Sequence, residues 1–258
     1  MDFGLKGKRA LVLGASQGLG AACAKELALE GASVIAAARN TEAIEKWVAE
    51  ARLEEEVRAV KLDLADEKAV AAFAEEMSSA GIDIVVNNCG GPAAGPARGQ
   101  SRAAWLAAFE AMALPVMQIT DALLAGMAER GFGRVITIGS SGILSPIPGL
   151  ALSNGVRGAI AGWSKTLASE VAGDGITVNM VLPGRIATDR VASLDAIKAK
   201  KQNTSVEAVE KGSKATIPAG RYGDPAEFAA VAAFLASARA SFVNGSMIRV
   251  DGGMLKQL

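Results

Sequence analysis

The chain has 258 residues, half of them hydrophobic, with 27 basic against 27 acidic side chains and a mean hydropathy of +0.27. That length suits one α/β domain with a large buried core, and the balanced charge argues against a nucleic-acid surface or an acidic tail. Two cysteines far apart, Cys23 and Cys89, and no histidine supply too few ligands for a metal site or a disulfide framework, so both read as small buried thiols.

The opening segment, Met1–Arg9, is short and mixed and lacks the apolar run of a signal peptide. No stretch approaches the roughly 20 apolar residues that span a bilayer, and the chain reads as a cytoplasmic protein with no membrane or nucleic-acid partner. Arg9–Leu13 is the first predicted strand, and it runs straight into Gly14-Ala15-Ser16-Gln17-Gly18-Leu19-Gly20 at the head of a helix, Gly18–Glu30. Glycines are needed where the chain turns tightly and where backbone must approach a pyrophosphate. A helix N-terminus adds free amides and a positive dipole end. Gly14, Ser16, Gln17, Gly18, Leu19 and Gly20 are therefore candidate dinucleotide contacts.

The second strand, Ser33–Ala38, precedes a helix over Thr41–Arg52. A dinucleotide site of this kind that takes NAD carries an acidic residue at the end of this strand, to bond the ribose 2′-hydroxyl. Here Ala38 and then Arg39 stand at that point, and a guanidinium suits a 2′-phosphate. Arg39 thus favours NADP(H) over NAD(H). The plainer reading is an exposed arginine ahead of a helix.

The strands Val57–Leu62 and Ile82–Asn87 flank a helix, Glu67–Ser79. Helices follow around Arg102–Ala113 and Pro115–Glu129, then a strand at Arg134–Gly139, a long helix at Ser153–Val171 and a strand at Ile176–Leu182. Pro225–Ser237 is the last helix and Ser246–Val250 the last strand. Near-continuous apolar strands alternating with amphipathic helices imply a parallel sheet covered on both faces. The expected fold is α/β: a single Rossmann-type doubly wound sheet of about seven strands, helices on both faces, over residues 1–258. Arg185–Arg221 breaks the rhythm, being polar and helix-forming. Leaving the carboxyl end of a strand, it is placed as a lid over the ligand crevice. Its lysines, Lys198, Lys200, Lys201, Lys211 and Lys214, read either as a solvated helix face or as part of a mobile substrate lid.

Six ordered motifs carry a resemblance: Gly14–Gly20, Asp63-Leu64, Asn87-Asn88-Cys89-Gly90, Ile138-Gly139-Ser140, Pro183-Gly184 and Val250-Asp251-Gly252-Gly253. Over essentially the whole chain the sequence resembles the short-chain dehydrogenase/reductase family, close to its 3-oxoacyl-(acyl-carrier-protein) reductase branch. The resemblance implies that Asp63 and Leu64 border the adenine and that Asn87 and Gly90 line the middle of the cofactor. It implies that Pro183, Gly184, Ile186 and Thr188 face the nicotinamide end. Asn87–Gly90 also reads as a turn that stabilises the sheet, and both roles can hold together.

The same resemblance locates four catalytic positions, which the family fills with Asn, Ser, Tyr and Lys. Ser140 keeps the serine. The tyrosine position is Ser153, the lysine position Arg157 and the asparagine position Met112. The chain has one tyrosine, Tyr222. A serine hydroxyl is a far weaker acid than tyrosine on a shorter side chain. An arginine stays protonated and cannot relay a proton, although it can bind ribose hydroxyls. Each position keeps a plain alternative: Ser140 as a polar turn, Met112 as core packing, Ser153 as the N-cap of its helix.

Three functions follow as expectations. One is an NADP(H)-dependent oxidoreductase acting on a carbonyl or alcohol, with Ser140, Ser153 and Arg157 serving the substrate and a held water, or a substrate group, as acid. Another is a catalytically impaired NADP-binding regulatory or sensor protein on the same scaffold. A third is elimination or isomerisation with Asp189, Arg185 or Asp195 recruited from the lid, unless these are surface ion pairs. A homo-oligomer, tetramer or dimer, is expected. Its contact is an apolar face built from Ala159, Ile160, Trp163 and Leu167 with Trp105 and Phe109, the helices the family uses as a dimer interface.

Overall fold

The central strands are apolar on both faces, and alternate side chains point to opposite sides. In the computed structural model, which describes residues 2–257, that alternation divides the core. Ala10, Val12, Val34, Ala36, Val86 and Ile136 pack under one helical layer, with Phe228 fully buried among them. Leu11, Leu13, Ile35, Val85, Val135 and Val178 pack under the other, with Phe73, Ile119 and Leu123. Burying a side chain such as Leu11 or Phe228 stabilises the fold by about 1.5–3 kcal/mol.

The strands are β1 (Arg9–Leu13), β2 (Ser33–Ala38), β3 (Val57–Lys61), β4 (Ile84–Asn87), β5 (Gly133–Ile138), β6 (Ile176–Pro183) and β7 (Met247–Val250). They form one sheet in the order β3-β2-β1-β4-β5-β6-β7, every pairing parallel. The expected doubly wound sheet is therefore present. The order reverses between β1 and β4, which opens the crevice at their carboxyl ends.

Helices α1 (Gly18–Leu29), α2 (Thr41–Ala51) and α9 (Pro225–Ala236) cover one face. Helices α3 (Glu67–Ser78), α4 (Arg102–Met112), α5 (Leu114–Glu129) and α6 (Ala151–Glu170) cover the other. Helices α7 (Asp189–Gln202) and α8 (Val206–Ala215) lie within the polar segment. Most starts are written locally: Asn40, Asp66, Ser101, Thr188, Ser205 and Asp224 accept from first-turn amides of α2, α3, α4, α7, α8 and α9. Together α4 and α5 are long and apolar enough to cross a membrane by composition. Met112, Ile119, Leu123 and Met127 of this stretch are buried in the protein's own core.

One boundary differs in a way that matters. Ser153 is not the cap of α6. The helix begins at Ala151, capped by the backbone of Leu150, and Ser153 is its third residue. The cause is tertiary: the carbonyl of Gly95 accepts from the Ala151 amide at 3.2 Å, and Gly95 donates to Gly149 at 2.7 Å. That pairing satisfies an amide at the helix start and winds the helix two residues early.

Candidate active site

The glycine loop joins β1 to α1 through two left-handed residues, Gly14 (φ 62°) and Gly18 (φ 59°). A Cβ on Gly14 would stand 2.6 Å from Asn88 Nδ2, and one on Gly20 would strike the Gly14 carbonyl. Asn88 Nδ2 donates to that carbonyl at 3.1 Å. The Trp47 indole donates to the Ala15 carbonyl at 3.1 Å. Two distant side chains therefore hold the loop: Asn88, within the Asn87–Gly90 motif, and Trp47, which no sequence motif marks. At the α1 N-terminus, Gln17 offers no side-chain acceptor, so the first-turn amides and their partial positive charge face outward. A close-approach backbone and an uncapped helix end suit a pyrophosphate; these residues fit a dinucleotide.

Arg39 is exposed at the end of β2, next to buried Ala38. Exposed Asp63 folds a turn after β3 by accepting from the Ala65 amide at 3.1 Å, and Leu64 packs against the core beside it. The Asn87 amide donates to Thr120 on α5 at 2.9 Å, while its Oδ1 is buried without a partner among the described residues. The side chain thus ties the sheet to α5. Gly90 has open space around it.

At the end of β5, Ser140 Oγ accepts from the Gly142 amide at 3.0 Å, leaving its proton free to donate. Ser153 and Arg157 lie one helical turn apart on α6 and share a face. Arg157 Nη1 donates to the carbonyls of Ile138 at 2.9 Å and Gly139 at 3.3 Å. Asn154 closes the intervening loop on α6, Nδ2 donating to the Ile147 carbonyl at 2.9 Å. Met112 is buried in an apolar cluster with Cys89, Leu152 and Val156, so it packs and supplies no donor. Cys89 sits near Arg157; burial pushes its thiol up, and the guanidinium draws it only part of the way back.

The segment after β6 starts where Gly184 meets Asp251 backbone so closely that a Cβ would clash at 2.6 Å. Ile186 is buried, its backbone paired to Gly223. Arg185 Nη1 reaches Asp195 Oδ1 at 2.5 Å, and the Tyr222 hydroxyl donates to Asp195 Oδ2 at 2.6 Å. Asp195 is only 2 % exposed, so Arg185–Asp195 is a largely buried pair rather than a surface one. Asp189 is the exposed first residue of α7. Lys198, Lys200, Lys201 and Lys211 are exposed, as a solvated face requires, whereas Lys214 pairs with Glu210 and lies 5.4 Å from the Tyr222 ring. Thr188 caps α7, and its methyl group lies 3.8 Å from where a Gly18 Cβ would be. The segment thereby reaches back from β6 to the glycine loop.

Comparison with known proteins agrees with this fold. A family model described as enoyl-(acyl carrier protein) reductase matches residues 14–255. The 3-oxoacyl-[acyl-carrier-protein] reductase FabG of Haemophilus influenzae is 32 % identical over 252 residues, covering 97 % of this chain and 99 % of its own. The chain belongs to the short-chain dehydrogenase/reductase family. The L-sorbose reductase of Gluconobacter frateurii, solved with NADPH and L-sorbose, superposes with a TM-score of 0.91 at 31 % identity over all of both chains. YwfH, an NADPH-dependent reductase involved in bacilysin biosynthesis, superposes with a TM-score of 0.91 at 29 % identity over 97 % of this chain and 99 % of its own. This short-chain family member is accordingly an NAD(P)-dependent oxidoreductase by kind.

Proposed function

We propose that this protein is an NADP(H)-dependent oxidoreductase that interconverts a carbonyl and an alcohol on a small molecule, with Ser153 and Arg157 where the family has Tyr and Lys. The observation that carries the cofactor reading is Arg39 at the end of β2, beside buried Ala38, where an acidic residue would instead favour NAD. Relatives solved with NADPH or NADP support it. Gly14, Ser16, Gln17, Gly18, Leu19, Gly20, Arg39, Asp63, Leu64, Asn87, Gly90, Arg157, Pro183, Gly184, Ile186 and Thr188 would hold the dinucleotide, which when bound supplies the hydride.

The chain's own groups do the rest. Ser140 keeps a free hydroxyl proton and would donate it in a hydrogen bond to the substrate oxygen. Arg157 has Nε and Nη2 beyond its two backbone contacts, and its charge would stabilise negative charge developing on that oxygen. Neither group is a good general acid, so a water held among Ser140, Ser153 and Arg157 would relay a proton from bulk solvent to the substrate oxygen, or a substrate group would supply it. The segment 185–221 would act as a lid on a single domain over residues 1–258. We place the enzyme in the cytoplasm, as a homo-oligomer, tetramer or dimer, through α4 and α6. Ile160 and Leu167 of the expected face are buried in the protein's own core, whereas Leu106 is exposed and open space surrounds Gly158 and Gly162.

A second reading, a cofactor-binding sensor with little turnover, draws support from the Arg157 contacts and from buried Met112. One experiment separates the two. Purified protein is given NADPH and a broad carbonyl panel, and oxidation is followed at saturating cofactor. Carbonyl-dependent oxidation is expected; tight NADPH binding with no oxidation by any member would establish the sensor instead.

A further inference from the structure

We propose that Arg190 is a clasp for the dinucleotide, its guanidinium binding the pyrophosphate across the mouth of the cleft. The inference rests on the dinucleotide reading above and adds a residue to it. Position is the first argument. Arg190 is the second residue of α7, two beyond Thr188, which touches the glycine loop at Gly18. Its Nη2 would lie 3.2 Å from a Cβ on Gly91 and donates to the Pro92 carbonyl at 3.4 Å. The chain leaving β6 thus crosses β5 and lays this side chain on the loop after β4, with the α1 N-terminus two residues away along the strap.

Charge is the second argument. A pyrophosphate brings two negative charges. The loop Gly14–Gly20 contains no lysine or arginine, and a helix N-terminus contributes only about half a positive charge. Of the arginines bordering this part of the cleft, Arg185 is neutralised by Asp195 and Arg157 is fastened to β5 carbonyls. Arg190 is exposed and makes no ion pair among the described residues.

Bond chemistry is the third argument. A 3.4 Å contact to a neutral carbonyl is weak. Exchange for phosphate oxygens gives shorter, charge-assisted and bidentate bonds. The contact to Pro92 parks the guanidinium beside the place where the phosphates arrive, so little ordering is left for binding to supply.

The test is calorimetric titration of the full chain, wild type, Arg190→Gln and Arg190→Lys, with NADPH and with adenosine 2′-phosphate, which has the 2′-phosphate but no pyrophosphate. Arg190→Gln should weaken NADPH by about tenfold or more, Arg190→Lys by less, and both should leave adenosine 2′-phosphate affinity unchanged. NADPH affinity within about twofold of wild type in Arg190→Gln would overturn the clasp. So would an equal loss for both ligands, which would mark a general disturbance of the fold. So would unchanged cofactor affinity with a raised KM for an anionic substrate, which would assign the residue to substrate. Wild-type protein that binds no NADPH would remove the parent reading, an outcome distinct from a wild type that binds it and an Arg190 variant that binds it equally well.

Discussion

Arg157 Nη1 donates to the carbonyl oxygen of Ile138 at 2.9 Å, joining the second turn of α6 to the last residue of β5. The carbonyls of Ile138 and Gly139 both accept from this charged donor. The arginine therefore fixes the stretch that presents Ser140 as well as adding charge to the site. Arg157→Ala should lower stability by about 1.5–3 kcal/mol, the range for a hydrogen bond to a charged group. Urea unfolding would measure it, and an unchanged midpoint would show that the tie is idle.

With Ser153 on the same face one turn earlier, the double change Ser153→Tyr with Arg157→Lys should rebuild an acid on α6. Small β-keto esters should turn over at least ~10²-fold more slowly with wild type than with an intact relative, and the double variant should recover part of that gap. Ordinary wild-type rates would show that the acid lies elsewhere. Met112→Asn, by contrast, would bury an amide in an apolar cluster. Its expected effect is destabilisation of about 1–3 kcal/mol rather than restored activity.

Arg39→Ala should weaken NADPH by about tenfold and leave NADH nearly unchanged, because only the 2′-phosphate meets that charge. Parallel calorimetric titrations decide it. Equal losses for both cofactors would remove Arg39 from the specificity argument.

The Tyr222 phenol is raised above its usual value, chiefly by burial and then by donation to Asp195. A raised phenol favours the protonated native form. Its contribution is whole at neutral pH and is lost as pH climbs above the ordinary value of about 10 through the raised one. Proteolytic nicking between residues 185 and 221 should accelerate over that alkaline window, and Tyr222→Phe should flatten the dependence. Nicking that falls as pH rises would refute the link. Asp195→Ala, which strands the partly exposed Arg185, should cost about 2 kcal/mol after allowance for screening.

Burial pushes the Cys23 thiol up to about 12, with Glu26 adding to it, and raises Cys89 despite Arg157. Both should resist a soluble thiol reagent in the native state and react only on unfolding. Stoichiometric labelling of folded protein at neutral pH would contradict the buried placement.

The sequence by itself determined the sheet and its glycine loop. Apolar strand runs and the tight glycine turn at Gly14 and Gly18 are local properties, legible from neighbours along the chain. It also placed Arg39, because the end of β2 has to meet the crevice beside β1. Tertiary structure alone decided the partners that give these positions meaning. Asn88 clamps Gly14 from 74 residues away, Arg190 reaches Pro92 across 98, and Tyr222 meets Asp195 across 27. Gly95 starts α6 early and moves Ser153 off the cap. Local propensity has no term for a carbonyl contributed by a distant loop. A side chain's donors are assigned only when the packed sheet fixes which unsatisfied groups stand within reach.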